Sequence, residues 1–526
     1  MFAFLKKCVI IKKTKDGDVM VGIVKSFALS GLEGFPVEVE VDLNSGLPKY
    51  DLVGLPDKAI KESKERVQSA IKNSAFMFPI KKITINLAPA NMPKEGPYFD
   101  LAIAISILVA SEQIKLKKYK DFVIIGELSL DGKIRGIAGV LPMLISAKNL
   151  GYTKLIIPKE NEKEACFIEG LEVYAFSHLI DVVDFLSDEL EASPVEIKKW
   201  QPETPNAMED FARVRGQYKA KRALEVAVAG GHNILMVGPP GSGKTMLAKC
   251  VPGILPDLTF AEALEITKIH SVSGVLDLSK GIITSRPFRT PHHTTTAIAL
   301  TGGGQKAKPG EISLAHNGVL FLDEMPEYNR HTLETLRQPL EDGVITVARN
   351  ARTVTYPANF IMVASMNPCP CGNYGSREAV CTCSPGAVAK YLGKVSGPLL
   401  DRIDLKIDVD RVKFYELNEE SDEEPSSEVK KRVNAARLIQ LERFKNDGIY
   451  CNAKMGSKQI KKYCKLDEAG KAILEAAFEK FKMSARGYTR ILKVARTIAD
   501  IEGEPDIKME HIAEAISFRS IEKVEL

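Results

Sequence analysis

Eight consecutive residues limit what this chain can fold into more than any others: Gly238-Pro239-Pro240-Gly241-Ser242-Gly243-Lys244-Thr245. They follow the apolar run Ile234-Leu-Met-Val237 and precede the helical pattern Met246-Leu-Ala-Lys-Cys250. A strand, a glycine-rich turn and a helix in that order let backbone N–H groups converge on a phosphate at a helix N-terminus. The Gly-x-x-x-x-Gly-Lys-Thr spacing then puts Lys244 within reach of the β- and γ-phosphates and makes the Thr245 hydroxyl a Mg²⁺ ligand. A Gly/Pro loop matching by chance is the competing reading, and the flanks on both sides argue against it.

The same stretch of chain supplies the complement. Val319-Leu-Phe-Leu322 reads as a buried strand with Asp323 and Glu324 at its C-terminal end, where ligands sit in an open α/β sheet. Asp323 is the candidate Mg²⁺ partner, a hard oxygen ligand acting mostly through water. Glu324 is the candidate that polarises an attacking water. A third strand, Phe360-Ile-Met-Val-Ala364, ends in Ser365-Met-Asn367, where Asn367 can reach a γ-phosphate or orient the water. Leu399-Leu-Asp-Arg402-Ile-Asp404 offers an arginine at the start of another strand. In a ring, Arg402 would reach a neighbouring subunit's nucleotide and stabilise charge in the transition state. Pairing of Arg402 with Asp401 or Asp404 is the alternative.

With 526 residues the chain has room for three or four domains of roughly 150 residues. Its 45% hydrophobic and 27% charged residues exclude wholesale disorder and collagen-like repeats. No stretch reaches the roughly 18 apolar residues that span a bilayer, and Met1 to Lys7 lacks the pattern of a signal peptide. A cytoplasmic protein is expected. Up to about residue 195 strands and helices mix: Val37–Val41 and Lys82–Leu87 alternate as half-buried strands, and Asp100–Ala110 reads as a buried helix. Phe122–Ile125 and Lys133–Arg135 flank Asp131-Gly132, a hairpin signal. The expected division is 1–19 as an extension, 20–195 as a first domain, 196–410 as the phosphate-loop core, 411–428 as an acidic linker and 429–526 as a helical domain. Ser193 to Pro205, polar and proline-containing, reads as the link between the first two.

Two further features carry chemistry. Alternating residues around Arg349-Asn-Ala-Arg352 predict a hairpin with two arginines near its tip. In a ring, these would grip nucleic-acid phosphates without regard to sequence; solvated arginines on an ordinary hairpin are the other reading. Cys369, Cys371, Cys381 and Cys383 place four of the nine cysteines on one short loop. Four thiolates suit tetrahedral Zn²⁺, although Cys-x-Cys departs from the usual spacing. Free thiols, and redox or iron–sulfur chemistry, are the competing readings.

Taken in order, these residues resemble the AAA+ ATPases, and more narrowly the helix-2-insert branch shared by magnesium chelatase and the MCM helicases. From about Met20 onward the chain resembles the Mg-chelatase-like YifB/ComM competence family. The words that carry the resemblance are Gly54-Leu-Pro-Asp57, Ile85-Asn-Leu-Ala-Pro89, Arg289-Thr-Pro-His-His293, Gly310-Glu-Ile-Ser-Leu-Ala-His316 and Ser396-Gly-Pro-Leu-Leu-Asp-Arg-Ile-Asp404. Met20-Val-Gly-Ile-Val-Lys25 looks like the family's opening, which makes Met20 a second candidate start. The resemblance implies ATP and Mg²⁺ as cofactors and a homohexamer. Within it Asn367 is sensor 1 and Arg402 the trans-acting arginine finger. Arg486, or in its place Arg490, is the sensor 2 arginine of a C-terminal helical lid. It further implies an ATP-driven DNA translocase promoting branch migration during integration of transforming DNA, with single-stranded or branched DNA and recombination proteins as partners. Arg349 falls at the DNA-contacting position of a pre-sensor hairpin, and Thr290 to Gln305 at the helix-2 insert. His292 and His293 suit polar or DNA contact better than metal ligation. The N-terminal segment resembles the Lon-protease-like (ribosomal S5 domain 2-like) fold through Phe122-Val-Ile-Ile-Gly-Glu-Leu-Ser-Leu-Asp-Gly-Lys-Ile-Arg135. Its Ser and Lys positions are occupied by Tyr98 and Leu141, so no peptidase is expected. A magnesium-chelatase-type motor for metal insertion and an ATP-gated protein-remodelling scaffold are the alternative functions.

Overall fold

Period-two burial builds the first sheet. In Glu33–Asn44 the side chains of Val37, Val39, Val41 and Leu43 are buried while their neighbours are not. The computed structural model describes residues 21–114, 118–203, 209–304, 307–349, 352–375, 379–412, 423–481 and 483–519. The candidate extension 1–19 lies outside them, as do 413–422 of the acidic run and Gln305 of the helix-2 insert. The chain forms two units, one comprising residues up to 200 together with 270–282, the other 201–269 and everything from 283 onward.

Among the described residues the first unit holds nine strands: β1 (Gly22–Ser30), β2 (Glu33–Asn44), β3 (Lys49–Val53), β4 (Lys82–Ala88), β5 (Phe122–Ile124), β6 (Glu127–Leu128), β7 (Ile134–Arg135), β8 (Lys154–Pro158) and β9 (Glu172–Phe176). Seven of them form one sheet in the order β3-β4-β2-β1-β5-β8-β9. The helix Asp100–Ala110 is buried along its whole length, Asp100 included. That carboxylate accepts from Arg66 Nε at 2.6 Å and Nη2 at 3.0 Å, the pairing a buried charge requires. The hairpin expected around Asp131-Gly132 joins β6 to β7, paired Glu127↔Arg135 and Leu128↔Ile134. Phe122–Ile124 instead enters the main sheet, parallel to β1 and β8. The reason is that Phe122, Val123 and Ile124 are all buried, which a two-stranded surface hairpin cannot provide.

Residues 193–203, expected as a linker, contain no helix or strand but are pinned at two points: Val195 N donates to Val173 O and Lys198 N to Cys166 O, both at 2.7 Å.

The second unit is built on a five-stranded, all-parallel sheet. It comprises β10 (Ile234–Val237), β11 (Phe288–Arg289), β14 (Val319–Leu322), β17 (Ile361–Met366) and β18 (Leu405–Asp408), in the order β11-β14-β17-β10-β18. Every residue of β10, β14 and β17 is buried, as strands covered on both faces must be. Between them, β12 (Gly302–Gly303), which follows a one-turn helix Ala297–Thr301 within the segment matched to the helix-2 insert, pairs with β13 (Lys308–Pro309) just beyond that segment. The predicted arginine hairpin is present as β15 (Val344–Arg349) and β16 (Arg352–Pro357). Its register runs from Val344↔Pro357 to Arg349↔Arg352, so the two arginines form the last backbone pair before the tip.

The C-terminal region is helical, with principal helices Ser426–Arg443, Ser457–Tyr463, Glu468–Lys480, Ala485–Ile501 and Met509–Ser517. The first starts three residues before the expected boundary at 429. Glu423, from the acidic stretch, is fixed by Lys221 Nζ at 2.6 Å and Gly216 N at 2.9 Å. One hydrophobic cluster runs through both the phosphate-loop core and this helical region, including Leu224, Val251, Val433 and Ile498. A buried carboxylate, Asp500, ties the helices together by accepting from Arg443, from Arg496 Nε at 3.0 Å and from Asn452 Nδ2 at 2.8 Å. No described helix is long and apolar enough to cross a membrane.

Candidate nucleotide site

The loop Gly238–Gly243 leaves the C-terminal end of β10, which lies between β17 and β18, and opens the helix Lys244–Ile254. Gly241 and Gly243 have φ of +77° and +86°, a region closed to most side chains. Gly238 is needed for closeness instead: a Cβ there would lie 2.1 Å from Val409 O. Lys244 Nζ donates to Gly238 O and Pro239 O, both at 2.8 Å, and lies 3.3 Å from Asn367 Oδ1 and 3.4 Å from Ser242 Oγ. Asn367 therefore stands beside the phosphate-loop lysine, with Met366 O accepting from Gly238 N at 3.2 Å.

Thr245 Oγ1 donates to Asp323 Oδ2 at 2.9 Å, while the other Asp323 oxygen accepts from Ser365 Oγ. A hydroxyl and a carboxylate oxygen meeting at the mouth of a phosphate loop fit Mg²⁺, which prefers hard oxygen ligands and keeps several waters. Glu324 is exposed, and its backbone N donates to Ser365 Oγ at 3.2 Å. Its φ of +50° is a left-handed geometry that a non-glycine residue holds only when its surroundings impose it. Ser365 thus orients both carboxylate residues, and Gln217 buttresses the loop from behind, donating to Ser242 O at 3.3 Å and Asp410 O at 2.5 Å. Neither was identified from sequence. Ser365 was legible, because strand residues two apart share a face and Asn367 is two residues on. Gln217 carried no such signal.

Burial pushes Lys244 down to about 8, with the carboxylates of Asp323 and Glu324 opposing the shift. Phosphate favours the charged amine, so nucleotide binding is proton-linked above that value. Below pH 8 the free protein already carries the charge and the Kd for ATP is flat. Above it, Kd rises by up to about tenfold per pH unit, since each binding event takes up a proton. Titrating a fluorescent ATP analogue between pH 7 and 9.5 checks this.

The three remaining arginines lie elsewhere. Arg402, Arg486 and Arg490 line a cavity of about 330 Å³ with Glu341, Asp404 and Lys493, and no residue of Gly238–Thr245 lines it. Arg402 pairs with Glu341 and donates to Pro398 O at 2.7 Å, so neither Asp401 nor Asp404 is its partner. Arg486 is 3.7 Å from the same Glu341, and Arg490 Nε is 3.2 Å from Asp404 Oδ1. Burial above all pushes the Arg490 guanidinium down, and the positive charges of Arg486 and Arg402 add to this.

The four thiols come together on the loop after β17. Sγ of Cys369 is 3.3 Å from that of Cys371 and 3.7 Å from that of Cys381, Cys371 and Cys381 are 3.6 Å apart, and all four sulfurs, Cys383 included, lie within 4.8 Å of one another. The rings of His292 and His293 lie against each other, tilted by 34° with centroids 4.1 Å apart, and His292 Nδ1 meets Thr294 Oγ1 at 2.9 Å. In the first unit, Leu141 is buried in the helix Val140–Asn149, and Tyr98 has its hydroxyl pushed up to about 12, by burial first and then by Glu95 and Asp57. These positions hold no serine–lysine pair.

A parallel sheet with the phosphate loop after an inner strand, an Asp-Glu pair two strands away and Asn367 at the end of the strand between define a Mg-chelatase-type AAA+ ATPase. Three family models match in chain order: subunit ChlI of Mg-chelatase over 39–161, magnesium chelatase subunit ChlI over 210–417, and its C-terminal part over 423–519. Competence protein ComM of Haemophilus influenzae is 44% identical over 506 residues, covering 95% of this chain and 97% of that relative. The uncharacterized protein YifB of Escherichia coli is 43% identical over 504 residues, with the same coverage of each chain. A Lon protease from Brevibacillus choshinensis is 31% identical over 191 residues, 34% of this chain and 24% of that relative. The chain belongs to the Mg-chelatase-like YifB/ComM family of AAA+ proteins, with a Lon-like N-terminal unit, a parallel-sheet ATPase core and a helical C-terminal region.

Proposed function

We propose that this protein is a ring-forming, ATP-driven DNA motor of the cytoplasm that moves single-stranded or branched DNA during recombination, including the integration of transforming DNA. The observation that carries this reading is the cavity around Arg402, Arg486 and Arg490. Three guanidiniums gather away from the chain's own phosphate loop, which supports a role in meeting a phosphate supplied by another copy. Hydrolysis then depends on assembly, and a homohexamer is the ring such heterologous contacts close into. In the proposed cycle Lys244 and the loop N–H groups hold the phosphates, Thr245 and Asp323 hold Mg²⁺, Glu324 orients the water and Asn367 positions the γ-phosphate. The arginine-ended hairpin β15–β16 supplies the grip on DNA, and recombination proteins are its partners. The name of the Haemophilus relative, a competence protein, supports the same setting. The four cysteines are assigned to a structural zinc ion.

The chelatase family models favour a second reading, a motor for metal insertion. One assay separates them. Single-stranded or branched DNA is expected to stimulate ATP hydrolysis, while porphyrin does not, and neither does unfolded protein, the substrate of a remodelling scaffold. Arg349→Ala should leave basal hydrolysis within about twofold and weaken DNA binding with a shallower salt dependence, as loss of a phosphate contact does. DNA affinity unchanged in that variant would remove the hairpin from the DNA path.

A further inference from the structure

The cysteine loop adjoins the nucleotide site at two points. Cys369, fully buried, lies two residues after Asn367, at the end of the sensor strand β17. Gly372, with φ +81°, lies against the phosphate loop so closely that a Cβ there would be 2.2 Å from Pro240 Cδ. Cys381 and Cys383 lead through the N-cap Ser384 into the helix Pro385–Leu392. The chain therefore leaves Asn367 and passes over Pro240, and the four thiols gather the two ends of that loop.

A tetrahedral ZnS₄ centre with Zn–S bonds of about 2.3 Å has sulfur–sulfur edges of about 3.8 Å. The three separations of 3.3, 3.6 and 3.7 Å lie just inside that edge length. Tyr374 N donates to Cys369 Sγ at 3.3 Å, a donor suited to stabilising a thiolate ligand.

Resting on zinc occupancy of these four thiols, we propose that the metal is a control point for ATP hydrolysis: bound zinc holds the cysteine loop against Pro240 and so fixes Asn367 for catalysis, and its removal slows hydrolysis while leaving nucleotide binding intact. The cysteines and Gly372 are positioning residues. They act through Asn367 and Pro240.

The test uses the full-length protein purified under reducing conditions, with zinc measured by mass spectrometry, hydrolysis by phosphate release and binding by a fluorescent ATP analogue. The expected protein carries one zinc per chain. Stripping it with the zinc-selective chelator TPEN lowers kcat about tenfold or more, as misplacement of a positioned group does. KM and analogue affinity stay within about twofold, and added zinc restores the rate. Cys381→Ser should reproduce the stripped state without rescue by zinc. Because that variant can fail to fold, Gly372→Ala provides a second arm: it keeps every thiol, should retain zinc, and should still lose kcat selectively. Protein that lacks zinc, or that instead carries iron with visible absorbance, overturns the zinc assignment itself. Zinc present at one per chain, with kcat unchanged by TPEN and by Gly372→Ala, overturns the coupling and leaves the assignment standing.

Discussion

Glu324→Gln is expected to bind ATP as the parent does and to hydrolyse it about 10²- to 10⁴-fold more slowly, the range associated with a general base. The swap keeps shape and removes charge. The Glu324 side chain is exposed and its backbone is held by Ser365, so an isosteric amide disturbs neither the φ of +50° nor the Asp323–Thr245 contact that serves Mg²⁺. What disappears is the anionic acceptor that polarises water. Lys244→Ala acts one step earlier: it removes the cation that spans Gly238 O, Pro239 O and Asn367, and nucleotide binding itself fails. Phosphate release together with titration of a fluorescent analogue separates the two. Equal losses of binding and turnover in Glu324→Gln would place this carboxylate among the metal and phosphate contacts instead of on the water.

How much of this site could be read from the chain depended on how local its parts are. The phosphate loop is one continuous strand–turn–helix, so its eight residues, its flanking strand and its helix were all legible. Asp323, Glu324 and Asn367 follow apolar runs that end at the same edge of a parallel sheet, and that rule located them. The cavity counter-ion Glu341 was not legible. It sits in the helix Arg337–Asp342 and meets Arg402 only through tertiary packing, 61 positions apart in sequence. The family words proved partly structural: Arg289 forms a two-pronged ion pair with Glu311 at 2.7 and 2.8 Å, and His316 Nδ1 accepts from Asn359 N at 3.1 Å. Both contacts are structural, so such words report packing as well as chemistry. In the first unit Phe122–Ile124 misled for a simple reason. A short apolar run beside Asp-Gly looks like a hairpin arm, yet complete burial assigns it to the sheet interior.

Arg402→Ala is expected to bind ATP normally and to lose about 10³-fold in kcat, the scale of an arginine finger. The fold should tolerate the change. Arg402 is held by the half-exposed Glu341 and the carbonyl of Pro398, and neither contact builds the core. A loss of rate alone would not distinguish action on a neighbour from a local effect, but mixing does. A chain carrying Arg402→Ala keeps its own phosphate loop, and a chain carrying Lys244→Ala keeps its arginine. Each is inactive alone. In randomly mixed rings, up to about a quarter of interfaces join an intact loop to an intact arginine, because head-to-tail contacts repeat around the ring. Hydrolysis should therefore return on mixing, and only under conditions in which subunits exchange. An Arg402→Ala protein of undiminished kcat would reduce that arginine to the partner of Glu341. A diminished rate with no recovery in demonstrably mixed rings would confine its action to its own chain, and the assembly-dependent site would fail with it.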